Sequence, residues 1–157
     1  MTTKKPIILL DLNYTLADNS REVVIYGRGY NVAIERYRTW LIEMLRGFYV
    51  ILITVRPERY REATLARIKA QTGWQPDEAY FNEWGTRAPE TKARILATKV
   101  FLHHGSPDRT AYLALESNDA TAAMYATHGI PRFRAKDIRG RPELLRGGPV
   151  PEQSPLF

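Results

Sequence analysis

Three short runs of apolar and aromatic residues constrain this chain's fold more than any other feature. They lie at 7–10 (Ile-Ile-Leu-Leu), 48–53 (Phe-Tyr-Val-Ile-Leu-Ile) and 112–115 (Tyr-Leu-Ala-Leu). None alternates apolar with polar positions, as a strand with one wet face would. Continuous runs of this length suit strands buried on both faces, the situation in a parallel sheet covered by helices. The segments between them carry helical spacing and helix stops. From Asn31, the residues Ile34, Tyr37, Leu41 and Leu45 recur at intervals of three and four, and Gly47 provides a left-handed cap. A second helix is expected from Pro57 to about Gln71, a third from Pro89 to His104 and a fourth from Asn118 to His128. Short strands are expected at Ala79 to Phe81 and Pro131 to Arg134. Residues 19–30 combine a strand-like Val23 to Tyr26 with a turn at Gly27 to Gly29. Strands alternating with helices predict an α/β class with a mainly parallel sheet.

The chain has 157 residues, enough for one domain with a substantial core. Residues 1–138 carry the alternating pattern. Residues 139–157 hold prolines 142, 149, 151 and 155 with Gly140, Gly147 and Gly148, and read as an extended or disordered tail. There is no cysteine, which excludes disulfides and thiolate metal sites. No apolar stretch approaches the roughly 18 residues of a spanning helix, and the first residues lack a signal peptide's apolar segment. The expected location is cytoplasmic, with no membrane partner. A net charge of +6, concentrated in Arg56 to Lys69 and Arg132 to Arg146, favours phosphorylated partners, nucleic acid included.

The apolar runs deliver chemistry to their C-terminal ends, where ligands bind in open parallel sheets. The first ends at Asp11, followed by Asn13, Tyr14 and Thr15; the second ends at Thr54; the third ends at Glu116. Lys92 falls one turn into the intervening helix. Alone, Asp11 also fits a turn after a buried strand. Together, a carboxylate nucleophile, a hydroxyl, an ammonium and a metal-binding carboxylate form a set suited to phosphoryl transfer. Asp119 is expected to cap the helix that follows Glu116.

In these motifs the chain resembles the haloacid dehalogenase-like phosphohydrolase superfamily. Asp11-Leu-Asn13-Tyr14-Thr15 stands where that family has Asp-x-Asp-x-Thr, Ile53-Thr54 where it has a strand ending in a hydroxyl, Lys92 as its lone lysine, and Glu116-Ser117-Asn118-Asp119 as its acidic motif. A narrower likeness is to the phosphatase domain of bacteriophage polynucleotide kinase–phosphatases. It rests on Thr54-Val-Arg56, on Thr86-Arg87, and on the segment from Tyr112 to Glu116 with Met124-Tyr125 and Gly129-Ile130. The resemblance implies a three-layer Rossmann-like fold and a Mg²⁺-dependent phosphomonoester hydrolase acting through an aspartyl-phosphate. Asp11, Asn13, Thr54 and Lys92 would be catalytic, and Tyr14, Thr15, Arg56 and Arg87 would contact substrate. Asp11, the Asn13 carbonyl and Glu116 would bind the metal. The short spacings around these motifs leave no room for a full cap domain, which suits a large substrate such as a polynucleotide 3′-phosphate end.

Two departures from the family pattern matter. Asn13 replaces the aspartate that normally exchanges protons with the leaving group and with water, and an amide cannot do so at neutral pH. Ser117 removes one carboxylate near the metal. A small-nucleotide phosphatase is the alternative within the enzyme class. A module that binds phosphorylated nucleic-acid ends without turning them over is the alternative outside it.

Overall fold

The computed structural model describes residues 5–25 and 29–146. Its strands are β1 (Ile7–Leu10), β2 (Val24–Ile25), β3 (Gly29–Tyr30), β4 (Val50–Pro57), β5 (Glu78–Asn82), β6 (Tyr112–Leu115) and β7 (Arg132–Phe133). The helices are α1 (Ser20–Val23), α2 (Thr39–Leu45), α3 (Arg61–Thr72), α4 (Ala88–Ile95), α5 (Phe101–His104), α6 (Asp119–Thr127) and α7 (Ala135–Ile138). A π-helical turn at Leu96–Val100 joins α4 to α5, so the expected helix over 89–104 is continuous.

Five strands form one parallel sheet in the order β5-β4-β1-β6-β7. The apolar runs sit in its centre, with Leu10 opposite Leu52 on one side and Leu115 on the other. Successive side chains of a strand point to opposite faces. Ile8, Leu10, Leu52, Leu113 and Leu115 therefore face a core completed by Leu41, Ile42 and Leu45 of α2, Ile68 of α3 and Ile138 of α7. Leu9, Ile51, Ile53 and Ala114 face a second core completed by Ile95, Leu96, Val100 and Tyr125. Burial on both sides is why the central strands carry no alternation. The three-layer α/β/α architecture is as the sequence predicts.

The strand order also places a crevice at one edge of the sheet. The chain leaves β1 toward β4 and β5, then crosses back to β6 on the other side of β1. Such a reversal opens a crevice beyond the carboxyl ends of the two diverging strands, here at Asp11 and Glu116.

Three local expectations are corrected. The helix expected from Asn31 is only a single turn at Val32–Ile34, and α2 starts at Thr39. The intervening residues are extended: Glu35 is drawn fully inside to meet Arg56, and Ala17 forms a bridge with Tyr37. Those polar and backbone contacts override the apolar spacing. Pro57 ends β4 instead of lying in the helix, which starts directly after it as a 3₁₀ turn at Glu58–Tyr60 and continues as α3. Part of the expected tail is ordered, since Pro142–Arg146 forms a 3₁₀ turn that buries Leu144 and Leu145 against the α2 side of the sheet. Residues 147–157, and the turn expected at Gly27 to Gly29 apart from Gly29, lie outside the described residues. At Gly29 (φ +104) a Cβ would collide with the Tyr60 hydroxyl, so glycine is required where this hairpin approaches the start of α3. No helix among the described residues is long and apolar enough to cross a membrane.

Candidate active site

Asp11 emerges from β1 with its backbone still extended, and its N–H donates to the Leu115 carbonyl (3.0 Å) at the end of β6. The chain then coils back over Leu12–Leu16, with Leu16 N donating to Asp11 O and Ala17 N to Leu12 O. This return seats Thr15 beneath Asp11, where its hydroxyl donates to Oδ2 at 2.8 Å. Thr15 is buried, so it orients the carboxylate and does not face substrate as the resemblance implies. Making the loop this tight puts Tyr14 at φ +62, a left-handed conformation that bulky residues rarely adopt. Its N–H is held by the Ser20 hydroxyl at 2.7 Å, and its ring is 55% exposed.

Lys92 enters from α4. Its ammonium bridges Asp11 Oδ1 and Glu116 Oε1 at 2.7 Å each, joining residues 81 and 24 positions away in the sequence. All three side chains are buried. Burial favours the neutral amine, but the two carboxylates outweigh it and hold the Lys92 pKa well above the ordinary lysine value. Glu116 is affected differently. Burial raises its pKa most, Lys92 lowers it and the Asp11 charge raises it again, giving a value of about 7. Above about pH 7, where Glu116 ionises, two carboxylates against one ammonium leave a buried excess of negative charge.

That excess suits a cation, and the oxygen geometry does too. The Ser117 hydroxyl lies 3.2 Å from Asp11 Oδ2 and 3.4 Å from the Asn13 carbonyl oxygen, so both oxygens converge on a single small volume. Among the described residues, no group of three or more His, Asp or Glu side chains could form an all-protein cage. The Asp11 and Glu116 carboxylates and Asn13 line one cleft, and their oxygens are the donors that could hold a Mg²⁺ there. The cleft above these groups has a volume of about 470 Å³ and is walled by Tyr14, Val55, Ala88 and Asn118.

Arg56 corrects an expectation. It is fully buried and does not reach the cleft. Its guanidinium grips Glu35 through two bonds (2.9 and 2.5 Å), donates to Thr64 Oγ1 (3.0 Å) and packs over the Tyr30 ring at 4.6 Å. Its Nη2 also donates to Asn13 Oδ1 at 2.9 Å. A guanidinium can only donate, so it fixes the amide with oxygen inward and leaves the NH₂ as the group Asn13 can offer elsewhere.

Thr54 is likewise fully buried, and its hydroxyl accepts from Arg56 N at 3.0 Å; the neighbouring Val55 lines the cleft. Arg87 is exposed beside Glu90 (3.8 Å) at the start of α4. Asn118, not Asp119, caps α6 by accepting from Thr121 N at 2.9 Å. Asp119 turns outward to Arg132 and Arg134, whose charges and hydrogen bonds hold its pKa below the usual aspartate value. Glu35, which anchors Arg56, has no signal in the sequence because its partner is 21 positions away.

No family model and no curated protein matches this chain. Among the solved structures that share its fold are two of a Pnkp1/Rnl/Hen1 complex. A chain of the "Structure of Pnkp1/Rnl/Hen1 complex" aligns with a TM-score of 0.61 and 19% identity, covering 84% of this chain and 46% of that one. A chain of the "Structure of the Pnkp1/Rnl/Hen1 RNA repair complex" aligns with a TM-score of 0.59 and 19% identity, covering 83% and 42%. This chain spans less than half the length of either.

Proposed function

We propose that this protein is a Mg²⁺-dependent phosphomonoester hydrolase that works through an aspartyl-phosphate on Asp11 and acts on polynucleotide 3′-phosphate ends. The carrying observation is the buried Asp11–Lys92–Glu116 cluster, with its excess negative charge, at the open crevice between β1 and β6. Fold likeness to chains from an RNA repair complex supports the nucleic-acid part of this reading.

Asp11, the Asn13 carbonyl and Glu116 would hold Mg²⁺, which when bound neutralises charge on the phosphate and on its attacker. Asp11 is positioned for attack by Thr15, Ser117 and Lys92, which leave its carboxylate little rotational freedom. Its oxygen forms a bond to phosphorus as the P–O ester bond breaks, and the leaving oxygen takes its proton from solvent water and departs as an alcohol. Water then attacks the aspartyl-phosphate, releasing inorganic phosphate and regenerating Asp11. Asn13 can donate a hydrogen bond to the leaving oxygen but cannot give up its proton or take one from water. Both half-reactions therefore lack their usual proton carrier, and substrates with good leaving groups suffer least in the first.

The experiment is rapid-mix hydrolysis of an aryl phosphate and of a 3′-phosphorylated oligonucleotide, with Mg²⁺ and with EDTA. The expected result is a Mg²⁺-dependent burst of aryl alcohol followed by slow turnover, abolished in Asp11→Asn. Turnover in Asp11→Asn within tenfold of the parent overturns the nucleophile. The fixed Asn13 amide favours the binding-module reading as the second choice, for which the oligonucleotide binds but neither substrate gives a burst.

A further inference from the structure

A second concavity, about 290 Å³ in volume, opens directly beside the first and shares Tyr14 and Ser117 with it. Its character is opposite. Arg38, Arg134, Lys136 and Arg139 line it, together with Trp40, and no carboxylate does. Lys136 and Arg139 are exposed and have no ion-pair partner among the described residues. The Arg139 guanidinium lies over the Trp40 ring at 4.7 Å, a stacked position that leaves its N–H edge for a ligand. Arg38 donates to the carbonyls of Thr15 (2.6 Å) and Ala17 (2.9 Å), tying this wall to the loop that carries Asp11. Arg134 also lines the groove and is held by Asp119 through Nη2.

Cations gathered around flat aromatic surfaces match a nucleic-acid backbone with a stacked base, and planar guanidinium groups suit phosphate oxygens in particular. The connection between the two clefts decides what kind of ligand fits. Ser117, shared by both, stands 3.2 Å from Asp11 Oδ2, so whatever occupies the groove is contiguous with the group presented to Asp11. The Tyr14 ring stands at the junction, exposed, in a backbone conformation that strains a side chain of its size.

We infer that this groove is a subsite for the next phosphodiester of a single strand whose terminal phosphate lies at Asp11, with the intervening base stacked on Tyr14. The inference rests on the proposed reading of Asp11 as the phosphate site and adds to it a requirement for chain length. A mononucleotide fills one cleft; a short oligonucleotide fills both.

The test compares binding of a 5′-fluorescent single-stranded trinucleotide 3′-phosphate with that of a mononucleotide 3′-phosphate, without Mg²⁺. The proteins are the parent, a Lys136→Ala/Arg139→Ala variant and Tyr14→Gly. The parent should bind the trinucleotide at least tenfold more tightly. That preference should fall to near unity in the double variant, and the log–log salt dependence should become shallower by about 0.7 for one lost phosphate contact. Tyr14→Gly should weaken the trinucleotide by about tenfold. The inference is overturned if the parent shows no length preference or does not bind, or if the double variant keeps the preference. Aryl phosphate hydrolysis by the parent reports separately on Asp11: its presence without length preference removes the groove and keeps the site.

Discussion

Replacing Lys92 by methionine tests the electrostatic core of the site. Methionine matches the length of the lysine stem and removes only the ammonium and its two 2.7 Å bonds. Asp11 and Glu116 would then face each other, buried and unpaired. Hydrogen bonds to charged groups contribute about 1.5–3 kcal/mol each, and breaking a buried ion pair typically destabilises by about 3–5 kcal/mol. The expected loss at pH 8 is therefore about 3–5 kcal/mol, or roughly 6–20 °C in Tm for a domain of this size. The pH dependence is the sharper signature. Glu116 already has a folded-state pKa of about 7, above its ordinary 4.5, so its protonated form is favoured on folding. A carboxyl whose pKa is raised on folding contributes most in acid, and that contribution is lost as pH rises through the folded value. Without Lys92 the repulsion from Asp11 grows and the folded value moves higher still. Urea unfolding in EDTA should show the variant's deficit shrinking below about 2 kcal/mol at pH 5 and widening toward pH 8. Added Mg²⁺ should recover part of the deficit at pH 8. A deficit that is the same at both pH values, or a variant more stable than the parent at pH 8, refutes the charge excess assigned to this cluster.

Other changes probe neighbouring parts of the site. Asn13→Asp restores a proton carrier and should raise steady-state turnover at least tenfold while removing the burst with aryl phosphates, an effect of the size general acid–base catalysis supplies; an unchanged rate in rapid-mix assays would contradict the role given to this position. Arg56→Lys cannot keep two bonds to Glu35 together with those to Thr64 and Asn13, so it should destabilise the fold by about 3 kcal/mol or more in urea. A change confined to KM, with stability intact, would return Arg56 to the substrate. Tyr14→Gly relieves about 1–2 kcal/mol of left-handed strain against about 0.4–1 kcal/mol of added chain entropy, and the exposed ring gives up little burial. It should leave the protein as stable as before, or more so by up to about 1 kcal/mol; a clear loss of stability would mean the ring packs.

What was legible in the sequence follows from how each interaction is encoded. The central strands could be read because burial on both faces forces unbroken apolar runs, and the strand tips followed from them. Asp11, Lys92 and Glu116 were placed together on that basis, and the structure brings their charged atoms into contact. A buried and an exposed arginine look alike in sequence, so Arg56 reads there as a substrate contact. Only the arrival of Glu35, which no periodic pattern marks, turns it inward. The same buried pair explains the broken helix before α2, since a residue aimed at an internal charge cannot follow the helical face. The buried Leu144 and Leu145 were hidden among prolines and basic residues whose composition resembles a tail.

The two charge environments give the basic composition a spatial meaning. A net charge of +6 spread evenly would raise affinity for any polyanion without ordering it. Here the negative excess is confined to a buried point beneath the first cleft, and the adjoining groove is lined by four cations. A phosphate alone over Asp11 and Glu116 meets like charge, so it is held only weakly there unless a cation lies beneath it. A phosphate in the groove needs none. A strand held by the groove therefore reaches the acidic cluster with its position already set, and the metal-dependent step acts on an end delivered to it. This division predicts that Mg²⁺ changes the affinity for a mononucleotide 3′-phosphate far more than for a trinucleotide. Isothermal titration of both ligands with and without Mg²⁺ measures the two ratios directly, and equal ratios would show that the clefts do not act in sequence.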